Sequence, residues 1–499
     1  MYILLIWEYV ECVRFIFVKV FMATLLSETL RQIIAEYGVV ITNLAQMMEI
    51  DRTTLQHIIS GKRSPNKMQM DKLLQFISIP TNKKTMILQA YEATIHGADK
   101  FKQHEKIKSI IEKIAFSSMV KPASAVPSHR ATITSTCETE DLYGILAINQ
   151  SIINVVNDEN ESVSFFMPPN FSFFYDTLFA KFITSETLSV TCFFPISDGT
   201  GNAMSDLEYF ESFIPFFASQ KHGFQAHFMR GQNPLNDTSI VPFPYFISTS
   251  THVLLLSADM NHAILTKQET FMQMYHEKCQ NLLSISSPLC SYPSFSDLLL
   301  FLPNSNSPKD ITSSIENQPC FQFFLTKQLI EKYTIINSEE DAAFINLYKK
   351  YICDLQKEPN FFCAFGSEGL MHFVETGILA VWPPSLTGPF DVPDRIEMLE
   401  RMLLGIKNDE FHCRMIDTSK LTLPLTSTVV GVSRNTLRIM CLDYDNGNVK
   451  NIFLTEKNIV GVFTDFFNSL PNLHLVHSKE ETVKAFEAAL MKLKTMQPS

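Results

Sequence analysis

The run from Leu44 to Pro65 constrains this chain more than any other stretch. Leu44, Ala45 and Met48 read as one helix, Glu49-Ile50-Asp51 as a three-residue turn, and Arg52 to Ser60 as a second helix. Leu44, Met48, Ile50, Leu55 and Ile58 fall where two crossed helices must bury side chains, and Ala45 is small where the helices pass closest. Arg52, Thr53, Thr54, Gln56 and His57 are left outside, and all can donate or accept hydrogen bonds. A basic loop, Gly61-Lys62-Arg63-Ser64-Pro65, follows. The spacing predicts a helix-turn-helix with a polar, cationic outer face.

The flanks fit a small helical bundle. Leu26, Leu30, Ile33 and Ile34 predict a first amphipathic helix ended by Tyr37-Gly38. Met70, Leu73, Leu74 and Ile77 predict a further helix from Asn66 to Ile79, and Met86 to Tyr91 a fifth. On these residues, and on the Gly-Lys-Arg-x-Pro ending, residues 24 to about 80 resemble the DNA-binding domain of the lambda-repressor-like (Xre/Cro) family of transcriptional regulators. The resemblance implies that the second helix enters a DNA major groove and that two copies bind a two-fold symmetric operator. Arg52, Thr53 and His57 are then expected at base edges, and Thr42, Thr54, Gln56, Lys62, Arg63 and Ser64 at phosphates. Two positions depart from the family pattern. Glu49 stands where the turn usually has glycine, which places a Cβ at positive φ, and Val40 stands where a Ser or Thr usually caps the helix.

Charge points the same way. Between Arg52 and Lys84 the basic residues are Arg52, Lys62, Arg63, Lys67, Lys72, Lys83 and Lys84, against the single acid Asp71. Residues 24 to 121 hold 14 Lys/Arg and 9 Asp/Glu, whereas residues 122 to 499 hold 25 and 41. The net charge of −11 is therefore concentrated in a large acidic part that repels phosphate, and the basic head is the expected DNA contact.

A chain of 499 residues is expected to form two or three domains. We expect an α+β multidomain protein, an N-terminal all-α helix-turn-helix bundle followed by an α/β regulatory body. The divisions read from the sequence are an apolar extension at 1–23, a DNA-binding domain at 24–96, a connector helix and linker at 97–136, an α/β regulatory subdomain at 137–330 and an α/β C-terminal subdomain at 331–499. Met1 to Phe21 is apolar but carries Glu8, Glu11, Arg14 and Lys19, too many charges for a comfortable membrane span. It reads as an upstream extension ahead of a start at Met22, with a body-packed helix and membrane association as alternatives. Ten scattered cysteines without a Cys-x-x-Cys, and no cleavable signal pattern, fit reduced thiols in a cytoplasmic protein.

The connector helix, about Lys100 to Phe116, carries an apolar stripe, Ile107, Ile110, Ile111 and Ile114, suited either to a neighbouring surface or to a dimer. The Pro/Ser-rich residues 117 to 136 read as linker. Beyond them, strands are expected at Leu188–Phe194, His252–Leu256, Thr436–Tyr444, Val449–Leu454 and Leu473–His477, and helices at Asp206–Ser219, Glu456–Leu470 and from about Ser478 to Lys494. A turn at Asp445 to Asn448 joins two of the strands. No internal repeat is visible.

Catalytic chemistry finds little footing. Asp198 to Asn202 lacks a phosphate-loop context, and Gly366-Ser367-Glu368-Gly369 lacks the Gly-x-Ser-x-Gly frame of a nucleophile elbow. His222 and His227 are wrongly spaced for one helix face. Asp259/His262, His276/Cys279 and His372/Glu375 have i,i+3 spacing without a third ligand. The aromatic clusters from Phe165 to Phe246 read as core, with a ligand pocket as the alternative. The expectation is a non-enzymatic, sequence-specific transcriptional regulator, with double-stranded DNA as partner, a homodimer, and a small-molecule or peptide effector for the body. No metal or cofactor is implied, and any cofactor-binding residue is unknown. The rival reading is a DNA-targeted enzyme or protein-interaction module whose activity lies in residues 137 to 499.

Overall fold

The computed structural model describes residues 24–120, 138–199, 203–219, 221–230, 241–292, 311–356, 361–380, 382, 386–424, 427–433, 435–443 and 448–496. The 1–23 extension, most of the expected linker and the turn residues 444–447 lie outside these. The chain divides into two compact units, residues up to Glu105 (with Asn472–His474) and the remainder from Lys106. The division falls within a helix rather than in the Pro/Ser-rich stretch.

The first unit is the helical head: α1 (Leu25–Tyr37), α2 (Ile41–Met47), α3 (Arg52–Ser60), α4 (Lys67–Phe76), α5 (Thr81–His96) and the first residues of α6 (Ala98–Ser117). Thr24 caps α1 by accepting from the Ser27 N–H, and Gly38 ends it in the left-handed region at φ 61°. Asn66 and Gln69 form a reciprocal capping box on α4. Leu26, Leu30, Ile33, Leu44, Met48, Leu55, Ile58, Met70 and Leu73 make one core. Gly61 closes α3 at φ 78°, and a Cβ there would lie 3.0 Å from the Ser27 Oγ, so the end of α3 sits hard against the start of α1.

The second unit, the body, holds two mixed sheets. The first runs in the order β1 (Thr139–Tyr143), β7 (His262–Thr266), β6 (Val253–Leu256), β5 (Tyr245–Thr249), β2 (Ser162–Phe166), β3 (Ser189–Ile196), β4 (Phe224–Arg230), β8 (Ser287–Pro288). The second runs β9 (Cys290–Ser291), β15 (Asn448–Leu454), β14 (Thr436–Asp443), β13 (Ser427–Ser433), β10 (Ile311–Glu316), β11 (Phe362–Phe365), β12 (His412–Met415). Strands β2, β3 and β4 are parallel, and so are β10, β11 and β12; the other pairings in both sheets are antiparallel.

Laid side by side, β1-β7-β6-β5-β2-β3-β4 and β9-β15-β14-β13-β10-β11-β12 have the same order and the same directions. The body is one topology used twice, a repeat the residue pattern does not reveal. The second sheet already contains β10, so the two halves part between Pro288 and Cys290 rather than near residue 330. That short segment is the edge of both sheets. Ser287 and Pro288 pair with Phe228 and His227, and Cys290 and Ser291 pair with Leu454 and Phe453.

Helices cover the sheets: α7 (Ile145–Asp158), α8 (Ser172–Thr184), α9 (Ala203–Ala218) and α10 (Glu269–Ile285) with the first, α11 (Lys327–Tyr333), α12 (Glu339–Leu355), α13 (Ser367–Thr376), α14 (Val392–Lys407), α15 (Lys457–Ser469) and α16 (Lys479–Thr495) with the second. Helices connect the parallel strands β2 to β3, β3 to β4, β10 to β11 and β11 to β12, and a three-residue connection joins the antiparallel β5 and β6. The aromatic residues are core: Phe165, Phe174, Phe194 and Phe213 are fully buried, with ring centroids 4.8 Å (Phe165–Phe174) and 5.0 Å (Phe194–Phe213) apart. They fill the interior of the first half among the described residues.

One expected strand differs, and one open alternative is decided. Leu473–His477 is not a strand. Val476 forms a single bridge with Ile416, because only the Leu475 carbonyl and the His477 N–H reach the end of β12. The stripe of α6 is buried inside the body: Ile107, Ile110, Ile111 and Ile114 are at most 1% exposed. Lys106 pairs with Glu211 at 2.8 Å, Ser109 donates to the same carboxylate at 2.9 Å, and Glu112 accepts the Thr422 N–H at 2.7 Å. The neighbouring-surface alternative is the one observed, and this stripe is not free to form a dimer.

Candidate nucleic-acid interface

The head positions its polar residues through a short sequence of constraints. Leu55, Ile58 and Ile59 are buried, which fixes the roll of α3 on α1 and α2. Arg52, Thr53, Gln56, His57 and Ser60 are then exposed at i, i+1, i+4, i+5 and i+8, a single outward stripe. Thr54 is half-buried at the margin of that stripe. Thr42 is exposed in the first turn of α2, and Lys62, Arg63 and Ser64 are exposed in the loop after α3. Pro65 is buried and anchors that loop.

The helix ends are uneven. Val40 supplies no side-chain cap to α2, as its residue type requires, and Asp51 makes no capping hydrogen bond to α3. The N–H groups at these two starts are therefore not taken up by their own caps. Helix N-termini of this kind favour anions.

The cationic face is smaller than the residue count implied. Lys72 pairs with Glu49 at 2.7 Å, and Lys83 with Glu36 at 2.9 Å. Lys72 holds the Glu49 carboxyl below its ordinary range through the hydrogen bond and its charge, and Glu36 raises Lys83 in the same way. Arg52, Lys62 and Arg63 have no carboxylate partner among the described residues, and all three are exposed. On the proposed DNA face this leaves exposed positive charge at the start of α3 and in the loop that follows it.

Several buried polar groups of the body are satisfied by partners within the fold. Asp206 is buried and accepts from Ser197 N and Oγ at 3.2 Å and from Asn458 Nδ2 at 2.9 Å, joining the first half to the start of α15; burial pushes its carboxyl up. Glu456 caps Ile459 and pairs with Arg230. Lys450 donates to the Ser219 and Lys221 carbonyls at 2.7 and 2.8 Å, closing the end of α9, and burial lowers it to about 8. The Asn458–Asp206, Arg230–Glu456 and Lys450 contacts were not legible in the sequence, since their partners lie more than 200 residues apart. A shallow crevice at the carboxyl ends of β10, β11 and β12 is lined by Asn317, Ser367, Glu368, Thr418 and Pro424. Its glycines have a packing reason: a Cβ on Gly369 would lie 1.8 Å from the Asn317 carbonyl oxygen. Asp259 turns back on Ser257 and Asn261, Cys279 faces the core, Glu375 pairs with Lys492, and no metal-competent cluster occurs among the described residues.

No protein-family model matches the chain, and no curated protein matches it. Solved structures with a faint likeness include the archaeal chromatin protein TrmBL2, described as showing a novel mode of DNA binding, at 7% identity and a TM-score of 0.23 over 44% of this chain and 87% of that one. Phosphatidylserine synthase from Haemophilus influenzae Rd KW20 aligns at 10% identity and a TM-score of 0.22, over 78% and 97%. Polyphosphate kinase from Porphyromonas gingivalis aligns at 9% and 0.22, over 76% and 59%. Similarities this low carry no argument about what the chain does. The described residues contain no helix long and apolar enough to cross a membrane.

Proposed function

We propose that the chain is a sequence-specific DNA-binding transcriptional regulator of the lambda-repressor-like type, acting in the cytoplasm. Residues 24 to 96 read double-stranded DNA, and the acidic duplicated body serves as a non-catalytic effector or sensor module. The observation that carries this reading is the outer face of α3. It presents Arg52, Thr53, Gln56 and His57 to solvent in one stripe, flanked by the unpaired cations Lys62 and Arg63. A side-chain set of this kind suits base edges in a major groove, with the loop cations on the phosphates. A two-fold operator calls for two copies, and because the α6 stripe is covered, dimerisation uses another face.

The test is charge reversal in the loop. Lys62→Glu with Arg63→Glu should weaken binding to operator and random DNA alike. The slope of log affinity against log salt should become shallower by about two units per copy. Unchanged affinity and slope in the double variant would overturn the docking face.

A further inference from the structure

We infer that Lys72 is a positioning residue for the recognition helix, locking the turn before α3, and not a phosphate contact. The inference rests on the DNA-reading function proposed above. Helix α2 ends in a paired 6→1 and 5→2 arrangement: the Ile50 N–H donates to the Ala45 carbonyl at 3.1 Å, and the Glu49 N–H to the Gln46 carbonyl at 3.1 Å. This closure requires the residue between them to be left-handed, and Glu49 has φ 57°. Glycine takes that conformation freely, whereas a residue with a Cβ is strained there. Lys72 reaches across from α4. Its ammonium donates to the Glu49 carboxylate at 2.7 Å and to the Met48 carbonyl at 3.3 Å, one of the helix-end oxygens that α2 leaves unpaired.

The two contacts act together. The carbonyl bond pins the last turn of α2, and the carboxylate bond holds the Glu49 side chain on the side that the left-handed backbone directs it to. Asp51 and Arg52 follow at once, so the backbone at Glu49 sets the direction in which α3 leaves. The chain thus carries a side-chain clasp where a glycine would serve by itself. Lys72, already engaged twice, is withdrawn from the phosphate-binding set that its charge would otherwise place it in.

The experiment compares full-length variants for affinity to preferred and random DNA across a salt series, and for thermal melting. Lys72→Met should weaken binding to the preferred site by about two- to fivefold, the range expected for losing an exposed clasp, with the salt slope unchanged. Adding Glu49→Gly to Lys72→Met should restore both affinity and melting temperature, because glycine needs no clasp. Adding Glu49→Ala instead removes the same charge but keeps the Cβ, and should not restore them. Equal rescue by alanine would mean that the freed carboxylate merely repels DNA, and would overturn the inference. A slope shallower by about 0.9 in Lys72→Met without rescue by glycine would make Lys72 a phosphate contact. Parental behaviour of Lys72→Met would show the clasp to be idle. If the parent binds no DNA at all, the functional reading fails, while the glycine-specific rescue of melting still decides the clasp.

Discussion

Glu316 closes β10 with its carboxyl sealed inside the second half of the body. Ser314 donates to it at 2.6 Å, and burial pushes it up to about 7. A carboxyl raised in the folded state is protonated there at a pH where the unfolded chain is charged. Its stabilisation is full below about 4.5 and is lost as pH rises through about 7. Relative to Glu316→Gln, the parent should therefore lose about 3 kcal/mol of stability between those two values. Urea unfolding at a series of pH values measures this, and parallel pH profiles for parent and variant would contradict it. At this scale the sequence is legible where neighbours along the chain decide the outcome. Val40 lacks a cap, as its residue type requires, and Glu49 is left-handed, as the resemblance implies for a turn position that usually holds glycine. It misleads where partners are distant. Lys72 and Lys83 count as basic-face residues in the chain, but folding brings Glu49 and Glu36 onto them from 23 and 47 positions away.

Among the elements, α1 to α5 follow from apolar periodicity, with side-chain caps at α1 and α4, because each helix of the head has one apolar face and one neighbour set. The hairpin of β14 and β15 and the final helix α16 are equally plain, the latter opening on a Ser478/Glu481 capping box. Residues Leu473 to Val476 show the limit. They are buried, and Leu473, Leu475 and Val476 are apolar, yet burial without a partner edge gives one bridge and no strand. The stripe on α6 shows another limit, since the same four isoleucines suit a dimer or an intramolecular surface and only the fold decides. Because Ile110 is fully buried against the body, Ile110→Ala should destabilise the chain by about 2 to 5 kcal/mol. Sedimentation of the folded variant should give the parental mass. Dissociation of a dimer without loss of stability would contradict the assignment of this helix.

Over the whole molecule, the duplicated body is the largest feature that the residue pattern conceals. Two sheets of the same strand order diverge in sequence because a core asks only for apolar side chains of adequate volume, and different residues fill it equally well. Function in the body stays equally hidden. Several of its buried polar groups are taken up within the fold, as Asp206 is by Ser197 and Asn458, and so report architecture. The head is the reverse case, with its candidate site and its fold written in the same 22 residues from Leu44 to Pro65. The central claim is that the chain reads base sequence through α3, and the most direct measurement compares Arg52→Ala with the parent on a selected preferred site and on random DNA. Arg52 begins α3, is exposed and has no acidic partner among the described residues, which suits it to the O6 and N7 of a guanine. The variant should lose about 1 to 3 kcal/mol on the preferred site, lose less on random DNA, and relax its preference at one base pair. Equal losses on both, or a parent with no sequence preference, would contradict the account.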